Sequence, residues 1–238
     1  MNYQINSTVG LGSYGVLYLA TSFQTGKEVV IKQLRKRKHT NEGMESFERE
    51  ALLLQQLSHP AIPKYVDYLV FQNKPYLVMS KMKGVSLDQL IFQQKRVFSK
   101  RESFQFCEDL LKVVQYLHHF GIVHRDLRPP NILLDNNDIA VIDFGLAQFM
   151  KRENKESPDS LMRECHPRSD FYAIGHTLLF VLYSGYTPSA RKKKSWEEEL
   201  EDLTTEEIRF IRKLLQIEAP FENVSQVLSS LRSILQKL

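Results

Sequence analysis

The chain has 238 residues, enough to bury a substantial core in one or two domains, and its 42% hydrophobic and 25% charged content excludes disordered and fibrous classes. A net charge of +4 is too mild to imply nucleic acid, and the basic runs at 35–39 and 191–194 read first as solvated loops. Two cysteines, Cys107 and Cys165, lack the number and spacing of a disulfide framework or a zinc site, which fits a reducing compartment.

Residues 3–35 predict strands: glycines interrupt STVGLGSYGVLYLA, and GKEVVIKQL alternates around β-branched residues. Between 41 and 57 the period becomes helical, with Met44, Phe47, Leu54 and Leu57 on one face and Ser58-His59-Pro60 as the stop. Two further strands are expected at 61–70 and 74–80, around a turn at 71–73. After 81–84 the character changes. Helices are predicted at 86–93 and 99–119, the second amphipathic, closed by Gly121 and carrying Cys107 into the core. Short strands follow at 132–134 and 139–142, then helices at 170–184, 196–200, 204–217 and 223–237. The longest apolar stretch, 171–186, contains His176 and is too short to cross a bilayer comfortably, so it predicts a helix buried on all sides. The N-terminus shows no basic start followed by an apolar run, and a soluble, cytoplasmic protein is expected. The pattern predicts one α+β domain in two lobes: a strand-rich lobe at 1–80 with one key helix, a joint at 81–84, and a mainly helical lobe at 85–238. Ligand sites favour the cleft of such an architecture.

Gly10-Leu11-Gly12-Ser13-Tyr14-Gly15 follows a strand and would let backbone approach phosphates closely. A dinucleotide-binding reading needs a helix next, but residues 16–20 continue as strand, so the loop is a hairpin turn. Phosphate binding and an ordinary glycine-rich turn both stay open on this motif alone. Lys32 ends Val-Val-Ile-Lys in a half-buried strand, where a lysine is costly unless paired. Glu50 is the expected partner, three residues after Phe47 and four before Leu54, whereas Glu42, Glu45 and Glu48 lie off that stripe. By itself Lys32 reads equally as a surface lysine with a snorkelling stem. Asp126 and Asn131 stand five apart in the proline-stiffened loop HRDLRPPN, and Asp143 follows Asn131 by twelve, just after an apolar strand. Two carboxylates and an amide oxygen suit a hard cation such as Mg²⁺ bound together with phosphate oxygens.

The ordered set Gly10-x-Gly12-x-x-Gly15, Lys32, Glu50, His124-Arg125-Asp126, Asn131 and Asp143-Phe144-Gly145 resembles the eukaryotic-type (Hanks-type) serine/threonine protein kinase family, from about residue 3 to 235. The resemblance implies a two-lobed kinase fold, ATP with Mg²⁺ (or Mn²⁺ in its place), and transfer of the γ-phosphoryl group to a protein hydroxyl, serine or threonine being favoured. It places Val9, Leu11, Ser13, Tyr14 and the three glycines over the ATP phosphates. Leu17 and Val30, which stand where the family usually has Val and Ala, would line the adenine pocket. Met79 would be the gatekeeper, with Ser80, Lys81 and Met82 as the hinge. Lys32, held by Glu50, would contact the α- and β-phosphates, Asp126 would orient the substrate hydroxyl and accept its proton, and Asn131 and Asp143 would hold the metal. Arg128, where the family usually carries Lys, would be a permanent cation near the transferring group. Leu54, His124 and Phe144 look like members of the family's hydrophobic stack. The implied partner is a protein substrate; neither a membrane nor nucleic acid is expected.

The chain departs from the family after Gly145. Only 24 residues (146–169) separate it from Asp170, which resembles the aspartate that supports the catalytic loop from behind. No Ala-Pro-Glu is present; Ser157-Pro158-Asp159 reads as a degenerate form, and Glu222 stands where the family has the arginine that pairs with that glutamate. Both partners are altered together, as expected for an ion pair discarded as a unit. Ser157 and Ser160 are candidate autophosphorylation sites, with Arg125 as the family's phosphate-gripping residue. Two other readings stay open: a nucleotide-binding pseudokinase acting as a scaffold, and a small-molecule kinase of the aminoglycoside-phosphotransferase type. Relatives of the latter tend to show His-Gly-Asp in place of His124-Arg125-Asp126.

Overall fold

Strict alternation along residues 28–34 puts Val29 and Ile31 on one side of a strand and Val30, Lys32 and Leu34 on the other. The rest of the first unit is built on those two faces. In the computed structural model, which describes residues 2–11, 15–35, 40–150, 164–187 and 194–238 (Leu11 by its backbone alone), contacts divide the chain into two units. Met1–Lys83 with Ala140–Ala147 form the first, and Gly84–Ile139 with Gln148–Leu238 the second.

The first unit holds an antiparallel sheet of β1 (Tyr3–Leu11), β2 (Gly15–Ser22), β3 (Glu28–Leu34), β4 (Tyr65–Phe71) and β5 (Lys74–Ser80), in the order β1-β2-β3-β5-β4. On one face Val29 and Ile31 pack with Ala20 and Val78 beneath Tyr3, Tyr18, Leu69 and Tyr76. On the other, the register sets Val30 opposite Met79 and Lys32 opposite Leu77. The helix α1 (Asn41–Gln56) starts at Thr40, whose hydroxyl accepts the Gly43 N–H at 3.1 Å. It buries Phe47, Glu50, Ala51, Leu53 and Leu54, and the Phe47 ring lies 6.0 Å from that of Tyr68. Glu50 is thus the one charge among the residues that α1 buries. The strand expected from residue 61 begins only at Tyr65. Pro60 and Pro63 remove two N–H groups, and the Ala61 and Ile62 amides turn back to the ring and carbonyl of His59.

The second unit is mainly helical. β6 (Val85–Ser86) and α2 (Leu87–Phe92) lead to α3 (Lys100–His119), which opens with a capping box between Ser99 and Glu102. Gly121 closes α3 at φ +67, donating to the His118 carbonyl. Phe104, Cys107, Leu110 and Leu111 of α3 are fully buried, each of the large ones stabilising the unit by about 2 kcal/mol; burial pushes the Cys107 thiol far up, so it is a core group without thiolate chemistry. β7 (Ile122–Val123), β8 (Ile132–Asp135) and β9 (Asp138–Val141) flank the loop that carries Asp126. β8 pairs with β6, and β10 (Gln148–Phe149) pairs with β7. α4 (Pro167–Leu182), α5 (Trp196–Glu199), α6 (Thr205–Leu214) and α7 (Val224–Leu235) complete the unit, with α3 packed on α4 and α7.

α4 is the helix anticipated from its apolar run, but it is not buried on all sides: His176 is exposed and Tyr172, Leu179 and Phe180 are half-buried, and it starts three residues earlier than periodicity suggested. The His166 ring accepts the Arg168 N–H at 3.2 Å and Pro167 occupies the first helical position. α6 stops at Leu214, short of the expected end at 217, because Gln216 turns left-handed at φ +57. Among the described residues no helix is long and apolar enough to cross a membrane.

Gly84, the first residue of the second unit, sits at φ +107, and a Cβ there would lie 2.6 Å from the Leu134 carbonyl oxygen. Gly84→Ala is expected to cost roughly 2 kcal/mol or more in urea unfolding, from backbone strain and the collision together.

Candidate active-site residues

Three residues meet inside the first unit. Lys32, only 4% exposed, donates to Glu50 Oε1 and Oε2 at 2.8 and 2.7 Å and to Asp143 Oδ1 at 2.7 Å. The Glu50 partnership follows from sequence because both elements carry their charge on the face they share. Burial by itself would pull the Lys32 ammonium down, but the Glu50 and Asp143 carboxylates outweigh it and hold the group well above its ordinary value. Lys32 is therefore a fixed cation with three oriented N–H bonds. Asp143 adopts φ +63 and also accepts the Gly145 N–H at 3.3 Å. A residue that sequence reasoning passed over joins them: Ser46 of α1 donates to the Gly145 carbonyl at 2.9 Å.

The adenine-side residues of the resemblance lie in the same unit. Met79 of β5 is buried, Leu17, Val30, Ser80 and Met82 are half-buried, and Val9 is exposed. Ser80 Oγ accepts the Lys64 N–H at 2.9 Å, and exposed Lys81 pairs with Glu28. Gly10 has open space on the side a Cβ would take, and Gly15 is buried where β2 begins. Gly12, Ser13 and Tyr14 lie outside the described residues, as do Ser157-Pro158-Asp159 and Ser160.

The second cluster belongs to the second unit. Asp126 Oδ2 accepts the Asn131 amide at 2.6 Å, and the same NH₂ group also reaches the Asp126 carbonyl at 3.0 Å. Both bonds use the amide nitrogen, which turns the Asn131 carbonyl oxygen away from Asp126 as a hard-cation ligand. Arg128 Nε reaches the Asp126 carboxylate at 3.3 Å, half-exposed. The Pro129–Asn131 helical turn fixes the spacing from Asp126 to Asn131. Among the described residues no three His, Cys, Asp or Glu side chains form a metal cage. Asp143 in the first unit and Asn131 in the second each offer a single hard oxygen-donor group, which suits a divalent cation that takes most of its shell from other oxygens.

The loop is held from below by Asp170 of α4. Its carboxylate, fully buried, accepts the His124 N–H at 3.0 Å, the Arg125 N–H at 2.8 Å and His118 Nε2 at 2.8 Å. These donors fix Arg125 at φ +65. Burial alone would raise the Asp170 pKa; the bonds from His118 and the loop amides override it and hold the carboxyl below its ordinary value. Thr177 adds a bond to the Leu127 carbonyl at 3.0 Å. His118 was invisible in the sequence, since a histidine near a helix end looks like a favourable dipole partner. Glu222 is an exposed residue exchanging hydrogen bonds with Gln226, beside α7.

Comparison with known proteins bears on these clusters. The family model described as "Protein kinase domain" matches residues 3–238. The chain is 33% identical over 237 residues to the probable serine/threonine-protein kinase YbdM of Bacillus subtilis (strain 168), covering 99% of this chain and 90% of that protein. It is 29% identical to CBL-interacting protein kinase 11 of Oryza sativa subsp. japonica and 34% identical to NUAK family SNF1-like kinase 1 of Mus musculus, in each case over 78% of this chain. It spans 40% and 30% of the length of those two longer relatives.

Asp170→Asn would turn an NH₂ group towards amides that need an acceptor, a loss of about 2–4 kcal/mol at neutral pH. Because the folded-state pKa is depressed, the stability from Asp170 is complete above the unfolded carboxyl value of about 4 and is lost as pH falls through the folded value. Urea titrations should show a constant gap between wild type and Asp170→Asn at neutral pH that narrows only in acid.

Proposed function

The chain belongs to the protein kinase family, and we propose that it transfers the γ-phosphoryl group of Mg²⁺·ATP to serine or threonine hydroxyls of a protein substrate. The observation that carries this reading is the Lys32 ammonium held at once by Glu50 and Asp143. Such an arrangement presents a fixed cation to phosphate beside a carboxylate suited to the metal. The serine/threonine preference rests on the Bacillus relative, whose length is nearly all covered.

In this reading Lys32 binds the α- and β-phosphates, with Glu50 preventing the ammonium from following them. The glycine-rich residues 10–15 lie over the phosphates, with the adenine between Leu17, Val30, Met79 and the backbone of 80–82. Asn131 and Asp143 would hold a divalent cation such as Mg²⁺. When bound, it neutralises charge on the phosphate oxygens. Asp126, oriented by the Asn131 amide, accepts the proton of the substrate hydroxyl as its oxygen bonds to the γ-phosphorus and the bond to ADP breaks. Arg128 cannot lose its charge, so it offers the transferring group a cation at every working pH. Ser157 and Ser160 remain proposed acceptors of autophosphorylation, with Arg125 as their partner.

The test is transfer of labelled phosphate from ATP to the chain itself and to generic protein substrates. Lys32→Ala, Asp126→Asn and Asp143→Asn are each expected to lower the rate by about 10²-fold or more. Nucleotide binding without transfer to any protein would instead make the chain a scaffold, and transfer only to small hydroxyl compounds would make it a small-molecule kinase. Intact-mass analysis after incubation with MgATP checks Ser157 and Ser160; an active protein of unshifted mass rules them out.

A further inference from the structure

A serine in mid-helix ordinarily bonds back to the carbonyl four residues earlier or faces water. Ser46 in α1 does neither; its hydroxyl crosses to the Gly145 carbonyl at 2.9 Å, 99 residues away in sequence. Ser46 stands one turn before Glu50, on the same stripe of the helix. The bond ties the backbone of the 143–145 segment to α1 one turn from the residue that holds Lys32.

The segment needs such holding. Asp143 lies in the left-handed region at φ +63, which a non-glycine residue keeps only where its surroundings over-determine it. The space is also tight: a Cβ on Gly145 would lie 3.2 Å from Asp143 Oδ1 and 3.3 Å from Lys32 Nζ. Gly145 is thus held on both sides, its N–H by the Asp143 carboxylate at 3.3 Å and its C=O by Ser46. Without Ser46 the 145–146 peptide is released, Gly145 is held on one side only, and the bond from its N–H to the Asp143 carboxylate loosens as the residue moves.

We infer that Ser46 is a positioning residue for Asp143, latching the 143–145 backbone to α1 so that the carboxylate keeps its alignment with Lys32. The inference rests on the reading of Asp143 as the metal-holding residue. The latch lies wholly within the first unit and needs no phosphate, so the alignment is built into α1 itself.

The test measures the affinity of a fluorescent ATP analogue, in excess MgCl₂ and in EDTA, for wild type, Ser46→Ala, Ser46→Cys and Ser46→Thr. Ser46→Ala is expected to keep the EDTA affinity and a melting midpoint within about 2 °C, while losing about fivefold of the gain that Mg²⁺ confers, as for one neutral hydrogen bond. The Mg²⁺ concentration for half-maximal transfer should rise by a similar factor, with KM for ATP at saturating metal unchanged. Ser46→Cys, close in size with a weak donor, should follow the alanine variant, and Ser46→Thr should restore the wild-type gain. An undiminished Mg²⁺ gain in both Ala and Cys variants overturns the inference. So does an equal loss in EDTA and MgCl₂, which would make Ser46 a packing residue only. A wild type with no Mg²⁺ gain overturns the reading of Asp143 itself, and the latch falls with it.

Discussion

An ammonium group cannot sit in the buried face of a strand without anions, and the first unit is organised to bring two of them to Lys32. The register of β3 against β5 turns the lysine away from the Val29–Ile31 face. The apolar stripe of α1 carries Glu50 to it, and the left-handed turn at Asp143 aims a second carboxylate at the same nitrogen. Desolvating such a cluster costs several kcal/mol per ion, and attraction offsets it only while every partner is in place. The cluster is therefore a demanding fixture whose payoff is orientation: a lysine that cannot swing, presented beside a carboxylate that remains partly open to solvent.

The second unit solves a similar problem with one carboxylate. Asp170 collects N–H groups from α3 and from both residues preceding Asp126, so the loop is shaped by a charge buried beneath it. On the surface above, Arg128 and Asp126 form a half-exposed pair of the kind that adds little to stability. Asp170, by contrast, is fully buried, and its bonds hold the shape of the loop.

Much of this was legible in the chain. Lys32 with Glu50 could be paired because strand and helix periods each put one charge on an apolar face, and α4 was recognisable from its long apolar run. Contacts that join a side chain to distant backbone were not legible. The Ser46 hydroxyl finds its partner outside its helix, and the carbonyl acceptor at Gly145 carries no residue-type signal. The start of α4 was missed because histidine is an unusual cap, and the start of β4 because Pro63 lay within the run read as strand. Local rules describe elements well; they are silent on which peptide group a remote hydroxyl will reach.

Asp170 has a consequence for how activity and folding part company. Its three donors come from the last turn of α3 and from the loop, while the carboxylate itself sits in the first turn of α4, where helices fray most readily. An opening confined to that first turn would leave most of the helical content untouched yet withdraw the acceptor from under His124 and Arg125. In amide exchange, those two N–H groups would then report the opening of the α4 N-terminus, at a free energy below that of global unfolding. The loop at 124–126 would then behave as part of α4's first turn, whatever the stability of the core beneath it.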